Sequence, residues 1–247
     1  MKIEHWHYLD TGAHDAPWNM ACDEVLLRTG IQNVGRFCEA AINENADSQS
    51  RPTLVPLLRV YGWSHPTVSL GYFQKWSPSL SNGLALVRRP TGGGLVEHGD
   101  GFTYSVIIPK THTLAALPTL EIYREIHEAV RKALGEIGTE STLNIQRSTL
   151  NAQRNEPIAR CFVQPSPYDL FADGRKIAGA AIRKTKDGVL VQGEIKATLG
   201  RSGLLAAMTA KFGARFEELT LTNNLKSEIN KLAREKYASE AWTKRFV

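Results

Sequence analysis

The alternation of apolar and polar residues predicts a chain built from short strands and helices. Residues 5–12 (HWHYLDTG) alternate as a strand, and the next segment places apolar residues at helical spacing between Pro17 and Gly30. Two β-rich runs, 57–63 and 67–72, are separated by a turn that contains a proline. The first third of the chain therefore combines both kinds of element.

A long amphipathic helix is predicted over residues 118–136. Apolar residues such as Ile122 and Ile126 recur there at helical spacing, whereas His127 lies outside the stripe and is expected to face solvent. The last fifty residues have a mainly helical and polar pattern, with a weaker apolar stripe over 224–237.

Two Asp-Gly pairs, at 173–174 and 187–188, give the clearest topological signal. Asp-Gly is a strong two-residue hairpin turn, so the flanking segments should form an antiparallel meander. Its three predicted strands are 168–172, 175–186 and 189–195. With no internal repeat and no linker, the pattern indicates one α+β domain with a largely antiparallel sheet.

Composition excludes several classes of protein. The chain has 247 residues and 42% hydrophobic content, which allows a sizeable core. No apolar run could span a membrane, and the amino terminus lacks the apolar region of a signal peptide, so a cytoplasmic protein without a membrane partner is expected. Cys22, Cys38 and Cys161 are odd in number and widely spaced, which favours thiols over disulfides or a metal site.

The charge balance favours an acidic partner. A net charge of +5 and a pI near 9.1 would steer such a partner towards the protein. The basic residues form no block and match no nucleic-acid motif, so nucleic acid is not the expected partner. His5, His7 and His14 lack carboxylates or cysteines at ligand spacing, so no metal site is expected.

Residues 86–109 (LVRRPTGGGLVEHGDGFTYSVIIP) contain two arginines followed closely by three glycines. Consecutive glycines carry a high conformational entropy cost, which suggests that their backbone comes close to something. Their N–H groups could cradle an anion, with Arg88 and Arg89 supplying forked positive charge. The alternative is a hairpin between strands 84–89 and 102–108 with solvated arginines.

The middle strand of the meander contains four small residues in succession, 178–181. On a regular strand, Lys176 shares one face with Ala178 and Ala180, while Gly179 projects from the other. Small residues are poor strand formers. They either open a slot for a long, narrow ligand with Lys176 at one end, or allow a helix to pack closely, and the sequence leaves both possibilities open.

Several stretches together carry a family resemblance. RRPTGGGLVEHGDGFTYS and, some eighty residues later, GRKIAGAA are supported by WNMACDEVLL and RVYGWSHPTVSLGYFQ. Over about residues 15–200 the chain resembles the lipoate–protein ligase A and octanoyltransferase family. The resemblance implies a fold shared with biotin protein ligases (class II synthetase-like), an antiparallel sheet flanked by helices. It also implies a tunnel for an eight-carbon acyl or lipoyl chain.

The same resemblance assigns roles to individual residues. Lys176 matches the lysine that contacts the acyl carbonyl, and His98 is expected on the strand beside the glycine loop. The residues expected to bind the acyl group or substrate are Gly71, Arg88, Arg89, Thr91, Gly92, Gly93, Gly94, His98, Ala178, Gly179 and Ala180.

The family includes ATP-dependent ligases and transferases that load the acyl group onto their own cysteine. RCFVQPSPYDL places Cys161 before the meander, and it is similar to the stretch around the nucleophile of cysteine-dependent octanoyltransferases. Ligases typically have an Asn-Asp pair where this chain has Tyr168-Asp169. Arg160 and Lys176 would favour the Cys161 thiolate. A buried structural thiol is the alternative.

The combined prediction is one catalytic domain over residues 1–247, without an accessory carboxy-terminal ligase domain. It would transfer an octanoyl or lipoyl group from a thioester donor, through Cys161, to a lysine of a lipoyl domain. The donor would be acyl carrier protein or the glycine-cleavage H protein, and no cofactor would be needed. The alternatives are a lipoate–protein ligase that uses ATP and Mg²⁺, and a non-catalytic lipoyl-binding or partner subunit. The latter is considered because GAAIRK (179–184) departs from the family's usual Gly-Ser-Ala-Gln.

Overall fold

The computed structural model describes residues 4–29, 55–81, 83–145, 165–196, 201–212 and 214–246. Cys38, Cys161 and the whole segment 31–52, for which the sequence predicts a helix end followed by a polar loop, lie outside the described residues. The strands are β1 (Glu4–His14), β2 (Leu57–Trp63), β3 (Thr67–Leu70), β4 (Ala85–Arg88), β5 (Val96–His98), β6 (Phe102–Pro109), β7 (Thr142–Leu143), β8 (Leu170–Ala172), β9 (Arg175–Lys184), β10 (Gly188–Ile195) and β11 (Ala214–Glu218).

Helices connect and cover these strands. They are α1 (Ala16–Thr29), α2 (Thr113–Ala116), α3 (Thr119–Glu136), α4 (Arg201–Lys211), α5 (Asn223–Leu232) and α6 (Glu240–Thr243), with a π-helical turn over Ala233–Tyr237 and a 3₁₀ turn over Pro78–Leu80. None of the described helices is both long and apolar enough to cross a membrane.

The described strands form two sheets. The larger has the order β11-β1-β2-β6-β10-β9-β8-β7, and the smaller has the order β4-β3-β5. In the large sheet β1 runs parallel to its two neighbours, and the pairings from β2 to β7 are antiparallel. The prediction of an α+β fold with a largely antiparallel sheet is therefore confirmed.

Apolar residues cover both faces of the large sheet. On one face, β6, β9 and β10 pack against α3 and α4 around Ile122, Ile126 and Val191. On the other face, α1 and α5 form a second cluster that includes Cys22 and Leu190. Burying these faces removes apolar surface from water, which is the main force that holds helices against a sheet.

Several predicted elements agree with the structure to within a few residues, including the strands 57–63 and 67–72, the helix 118–136 and the meander. The proposed hairpin between 84–89 and 102–108 is wrong, because β4 and β6 belong to different sheets. Strand β4 instead pairs parallel to β3, and β5 pairs antiparallel to the other side of β3. The glycine loop therefore connects two strands of the small sheet.

Candidate active site

A bulge in β9 determines which way Lys176 points. Leu170 of β8 pairs with Ala178, but the next residue, Phe171, pairs with Lys176, so Ile177 is an extra residue in β9. Because a bulge interrupts the alternation of faces, Lys176 lies on the side of Gly179. The prediction that Lys176 shares a face with Ala178 and Ala180 is wrong for this reason.

The Lys176 side chain occupies the space beside Gly179. A Cβ atom on Gly179 would lie 2.6 Å from Cε and 2.8 Å from Nζ of Lys176. The ammonium lies 2.8 Å from Oδ2 of Asp169, and the exposed fractions of the two side chains are 7% and 0%. Glycine at 179 therefore makes room for a buried lysine–carboxylate pair. A buried pair of this kind is costly to disrupt on one side only.

Asp169 also contacts two other groups. Tyr123 donates its hydroxyl hydrogen to Oδ1, and the backbone N–H of Ser166 donates to Oδ2 at 2.6 Å. Burial, followed by the nearby Asp169 charge, raises the pKa of Tyr123 well above its usual value, so this hydroxyl stays protonated. The Tyr123 oxygen in turn accepts a hydrogen bond from the N–H of Ala180 at 2.9 Å. Asp169 thus connects α3, β9 and the segment that follows Cys161.

The small residues of β9 divide between two environments. Ala178 is fully buried in the cluster under α3, and Ala180 packs against the same cluster. Close packing of a helix therefore accounts for this face. Gly179, on the opposite face, accommodates Lys176. The two interpretations of the small-residue run thus apply to different faces of one strand.

His127 is fully buried, so the expectation that it faces solvent is wrong. Its Nδ1 lies 2.6 Å from the carbonyl oxygen of Tyr168, and since a carbonyl only accepts, Nδ1 carries the proton. Nε2 has no hydrogen-bond partner among the described residues. Burial lowers the pKa of His127 to about 4, so the imidazole is neutral. Helix α3 thus supports the turn at Tyr168, whose φ of 66° is left-handed.

The glycine loop packs tightly against another part of the backbone. A Cβ atom on Gly71 would lie 1.8 Å from the carbonyl oxygen of Gly93, and Gly93 itself has a φ of 84°. Gly92 differs, because a Cβ atom there would meet nothing within 4 Å. Thr91 ties the loop to the large sheet by donating its hydroxyl hydrogen to Oε1 of Gln192 at 2.6 Å. Gly71 and Gly93 therefore shape the loop, while Gly92 borders open space.

Arg88 and Arg89 are buried, so the interpretation that they are solvated is wrong. Arg88 donates to backbone carbonyls that precede and follow the loop in sequence: those of Gly71, Tyr72, Gln74, Trp242 and Thr243. Arg89 donates to the carbonyls of Ser69, Gly92 and Gly94. Both guanidinium groups thus hold the shape of the loop. Contact with a ligand stays a prediction for both.

His98 belongs to a chain of buried polar contacts. Nδ1 of His98 contacts Oε2 of Glu194, and Nε2 lies 2.8 Å from Oγ of Ser69. Burial lowers the pKa of His98, so a neutral imidazole donates to the carboxylate and accepts from the serine. Ser69 also accepts from Nη1 of Arg89 at 3.0 Å. Glu194 pairs directly with Gly179 across β9 and β10, so this chain links the lysine site to the glycine loop.

Sequence reasoning missed Asp169, Tyr123, Ser69 and Glu194 as parts of this arrangement. A signal for Asp169 was present, because the Asp-Gly turn at 173–174 returns the chain and brings Lys176 beside Phe171. Asp169 lies two residues from Phe171, at a diagonal position that a long side chain can reach. The other three residues come from distant elements, and no local pattern marks them.

Cys22, which lies beside the apolar stripe of its helix in the sequence, belongs to the core. It is fully buried in α1, and burial raises the pKa of its thiol to about 12. A cleft of about 240 Å³ beside Pro17, His65 and Thr243 is lined by none of the predicted site residues. Among the described residues, no group of three histidines, cysteines or carboxylates is placed to hold a metal ion.

Fold and site define an α+β domain in which buried polar contacts link a glycine loop of the small sheet to a buried lysine on the large sheet. The model of the lipoyl protein ligase A/B catalytic domain matches residues 15–210. The chain therefore belongs to the lipoyl protein ligase A/B catalytic domain family.

Relatives with curated names are similar along most of the chain. Octanoyltransferase LipM of Halalkalibacterium halodurans is 33% identical over 201 residues, which are 78% of this chain and 66% of the relative. Octanoyltransferase LipM of Bacillus subtilis is 32% identical over 203 residues, 79% of this chain and again 66% of the relative. The chain thus spans just under two thirds of the length of these relatives.

Solved structures share the fold. A bipartite lipoate protein ligase from Thermoplasma acidophilum superimposes with a TM-score of 0.70 at 18% identity, covering 99% of this chain and 98% of that one. A lipoate-protein ligase A bound with ATP gives a TM-score of 0.70 at 20% identity, covering 99% of this chain and all of the other. At this level of identity the likeness establishes the fold alone.

Proposed function

We propose that the protein is an acyltransferase that moves an octanoyl or lipoyl group from a thioester donor to a lysine of a lipoyl domain. The observation that carries this proposal is the position of Asp169. Its carboxylate lies 2.8 Å from the Lys176 ammonium and accepts a hydrogen bond of 2.6 Å from the N–H of Ser166. Ser166 follows Cys161 by five residues. One buried group therefore orients both the proposed carbonyl-binding lysine and the segment that follows the proposed nucleophile. The similarity to octanoyltransferases supports the same reaction.

In the first step, the Cys161 thiolate attacks the thioester carbonyl of the donor. The new C–S bond to Cys161 forms as the bond to the donor sulfur breaks, and the donor leaves as a thiolate that takes up a proton. Lys176 donates a hydrogen bond to the acyl oxygen, and N–H groups of loop 91–94 share the developing negative charge. Arg88, Arg89 and His98 keep this loop in place.

In the second step, the lysine amine of the lipoyl domain attacks the Cys161 thioester. An amide bond forms, the Cys161 thiolate leaves, and the amine loses one proton. Water would compete with the amine, so a narrow site is an advantage. The open space beside Gly92, together with Gly71 and the Gly179 face of β9, would border the acyl chain, whereas Ala178 and Ala180 pack under α3 on the other face.

The remaining features of the proposal follow from this chemistry. The donor is an acyl carrier protein or an acylated glycine-cleavage H protein, the acceptor is a lipoyl domain, and no cofactor takes part. The 247 residues would act as one catalytic domain in the cytoplasm, without a metal, nucleic acid or membrane. An ATP-dependent lipoate ligase is the alternative, since a ligase bound with ATP has the same fold.

Modification of a lipoyl domain tests the proposed function. Octanoyl carrier protein as donor should give octanoylated lipoyl domain without ATP. Cys161→Ser should abolish the reaction because a hydroxyl has a much higher pKa than a thiol, whereas Cys38→Ser, the matched control, should retain it. A requirement for ATP and free lipoic acid would instead assign the protein to the ligases, and full activity of Cys161→Ser would remove the acyl-enzyme.

A further inference from the structure

An exposed aromatic and basic surface lies next to the glycine loop. We call it the Phe73 patch, and it consists of Tyr72, Phe73, Arg183, Arg245 and Phe246. The exposed fraction of Phe73 is 77%, among the highest of any large apolar side chain in the described residues. Its ring contacts Tyr72 at a centroid distance of 4.7 Å and Phe246 at 6.2 Å. Such a side chain has a hydrophobic cost in water that a partner would relieve.

The charge of the patch is positive. The Arg183 guanidinium lies 4.4 Å from the centre of the Tyr72 ring, and that of Arg245 lies 5.2 Å from the same ring. Within the described part of the chain, neither arginine forms an ion pair with a carboxylate, in contrast to Lys244, which lies 2.9 Å from Glu240. Arginines stacked on aromatic rings keep N–H donors that suit carboxylates.

The patch is joined directly to the proposed active site. The N–H of Tyr72 donates to the carbonyl of Thr91 at 2.8 Å, and Nη1 of Arg183 donates to the carbonyl of Pro90 at 2.8 Å. A partner seated on the patch would therefore lie against the residues that lead into the three glycines. It could reach the site with a short flexible arm.

We infer that the Phe73 patch docks an acidic carrier domain that delivers the acyl thioester. This inference rests on the proposed function, since it names the surface on which the donor binds. Phe73 would be the apolar anchor, and acidic residues of the carrier would pair with Arg183 and Arg245. Aromatic and arginine side chains commonly dominate the energy of such interfaces, and complementary charge speeds encounter.

Two donors with the same acyl group separate docking from chemistry. One is octanoyl carrier protein, and the other is the octanoyl thioester of N-acetylcysteamine, which has no protein to dock. Phe73→Ser and Arg245→Glu should each lower kcat/KM for acylation by the carrier donor about tenfold or more. Acylation by the small thioester should stay within about twofold of wild type. Leu120→Ser, at an exposed apolar position on α3, is the matched control and should behave as wild type with both donors.

Other results would overturn the inference. Equal losses with both donors would mean that the patch acts through the loop, and unchanged carrier kinetics would remove it as a docking surface. If the wild-type protein binds an oligonucleotide, and the variants lose that binding but keep wild-type kinetics with the carrier donor, the patch binds nucleic acid instead. If the proposed function itself fails, the wild-type protein forms no acyl-enzyme with either donor. Docking is then tested by itself with a carrier protein whose octanoyl group is linked by an amide and cannot be transferred. Its binding is measured by fluorescence anisotropy with the Cys161→Ser protein and with the Cys161→Ser, Phe73→Ser double variant, and the double variant should bind more weakly.

Discussion

At the scale of single residues, the site depends on a glycine that leaves space for a lysine. Lys176 lies where a side chain on Gly179 would be, and its charge is balanced by a fully buried carboxylate. In the proposed reaction, a flexible lysine held this way has few conformations to lose when it binds the acyl carbonyl, which is how preorganised donors stabilise a transition state. The identity of residue 179 should therefore matter as much as that of residue 176.

Gly179→Ala should displace the Lys176 ammonium, because the new methyl group would lie 2.8 Å from Nζ. If Lys176 acts like one oxyanion donor, turnover should fall by roughly a hundredfold to a thousandfold, as for Lys176→Ala. Lys176→Arg should rescue poorly because a planar fork does not replace a compact ammonium. Single-turnover acylation and deacylation rates are the measurement, with thermal unfolding to show that the fold persists. Gly203→Ala, where a methyl group meets nothing within 4 Å, is the control. Wild-type rates in both steps for Gly179→Ala and Lys176→Ala would remove Lys176 from the mechanism.

At the scale of elements, the glycine loop combines one rigid contact with one open position. The backbone of Gly71 touches that of Gly93, whereas Gly92 borders open space. Alanine should therefore reduce stability at Gly71, whereas at Gly92 it should affect binding of the acyl donor.

Gly71→Ala should destabilise the protein, because the new methyl group would lie 1.8 Å from a backbone oxygen. Overpacking of this kind costs about 1–3 kcal/mol, or a few degrees in Tm for a chain of this size. Gly92→Ala should leave Tm unchanged or slightly higher, but it should raise KM for the acyl donor if the chain passes there. Calorimetry and steady-state kinetics test the pair. A stable Gly71→Ala protein, or an unchanged KM for Gly92→Ala, would contradict this division.

Helix α3 contributes a histidine whose burial makes stability depend on pH. Its pKa is about 4 in the folded protein and 6.5 in the unfolded chain, so the unfolded state binds the proton more readily. The contribution of neutral His127 to the free energy of unfolding is therefore fully present above pH 6.5. It decreases as the pH falls from 6.5 to 4 and does not change further below pH 4, for a total loss of roughly 3 kcal/mol.

His127→Asn should reduce this pH dependence, since the amide can still donate to the Tyr168 carbonyl but does not titrate. Between pH 7.5 and 5.0, wild type should lose about 2 kcal/mol more free energy of unfolding than the variant does. Urea unfolding at the two pH values gives the comparison. Equal losses in both proteins would show that His127 is not the titrating group.

The elements also show where sequence reasoning reaches its limit. The meander and the helix 118–136 follow from turn chemistry and periodicity, which are local. The direction of the Lys176 side chain does not follow from local signals, because one extra residue in β9 moves this side chain to the other face of the sheet. No residue type marks that bulge in the sequence. The burial of His127 depends on a carbonyl 41 residues away. The run of three glycines marks the loop in the sequence, but the sequence does not show that Arg88 holds backbone carbonyls as far away as Thr243 or that Arg89 holds those of the loop itself.

At the scale of the whole molecule, the net charge of +5 should favour encounter with acidic carrier domains. Salt screens such attraction, with a Debye length of about 8 Å at physiological ionic strength. Raising the salt concentration should therefore lower kcat/KM for octanoyl carrier protein but leave the small octanoyl thioester almost unaffected. Stopped-flow acylation at several salt concentrations measures both. The same salt dependence for both donors would show that charge acts in the site rather than on encounter.

The acyl-enzyme at Cys161 is the central claim, and intact mass spectrometry tests it most directly. The protein is mixed with octanoyl carrier protein, without ATP or acceptor, and its mass is measured before and after hydroxylamine. One octanoyl adduct should appear, hydroxylamine should remove it, and peptide mapping should place it on Cys161, because a thioester is the proposed intermediate. An adduct on Cys22 or Cys38, or no adduct on a protein that still transfers the acyl group, would contradict the account.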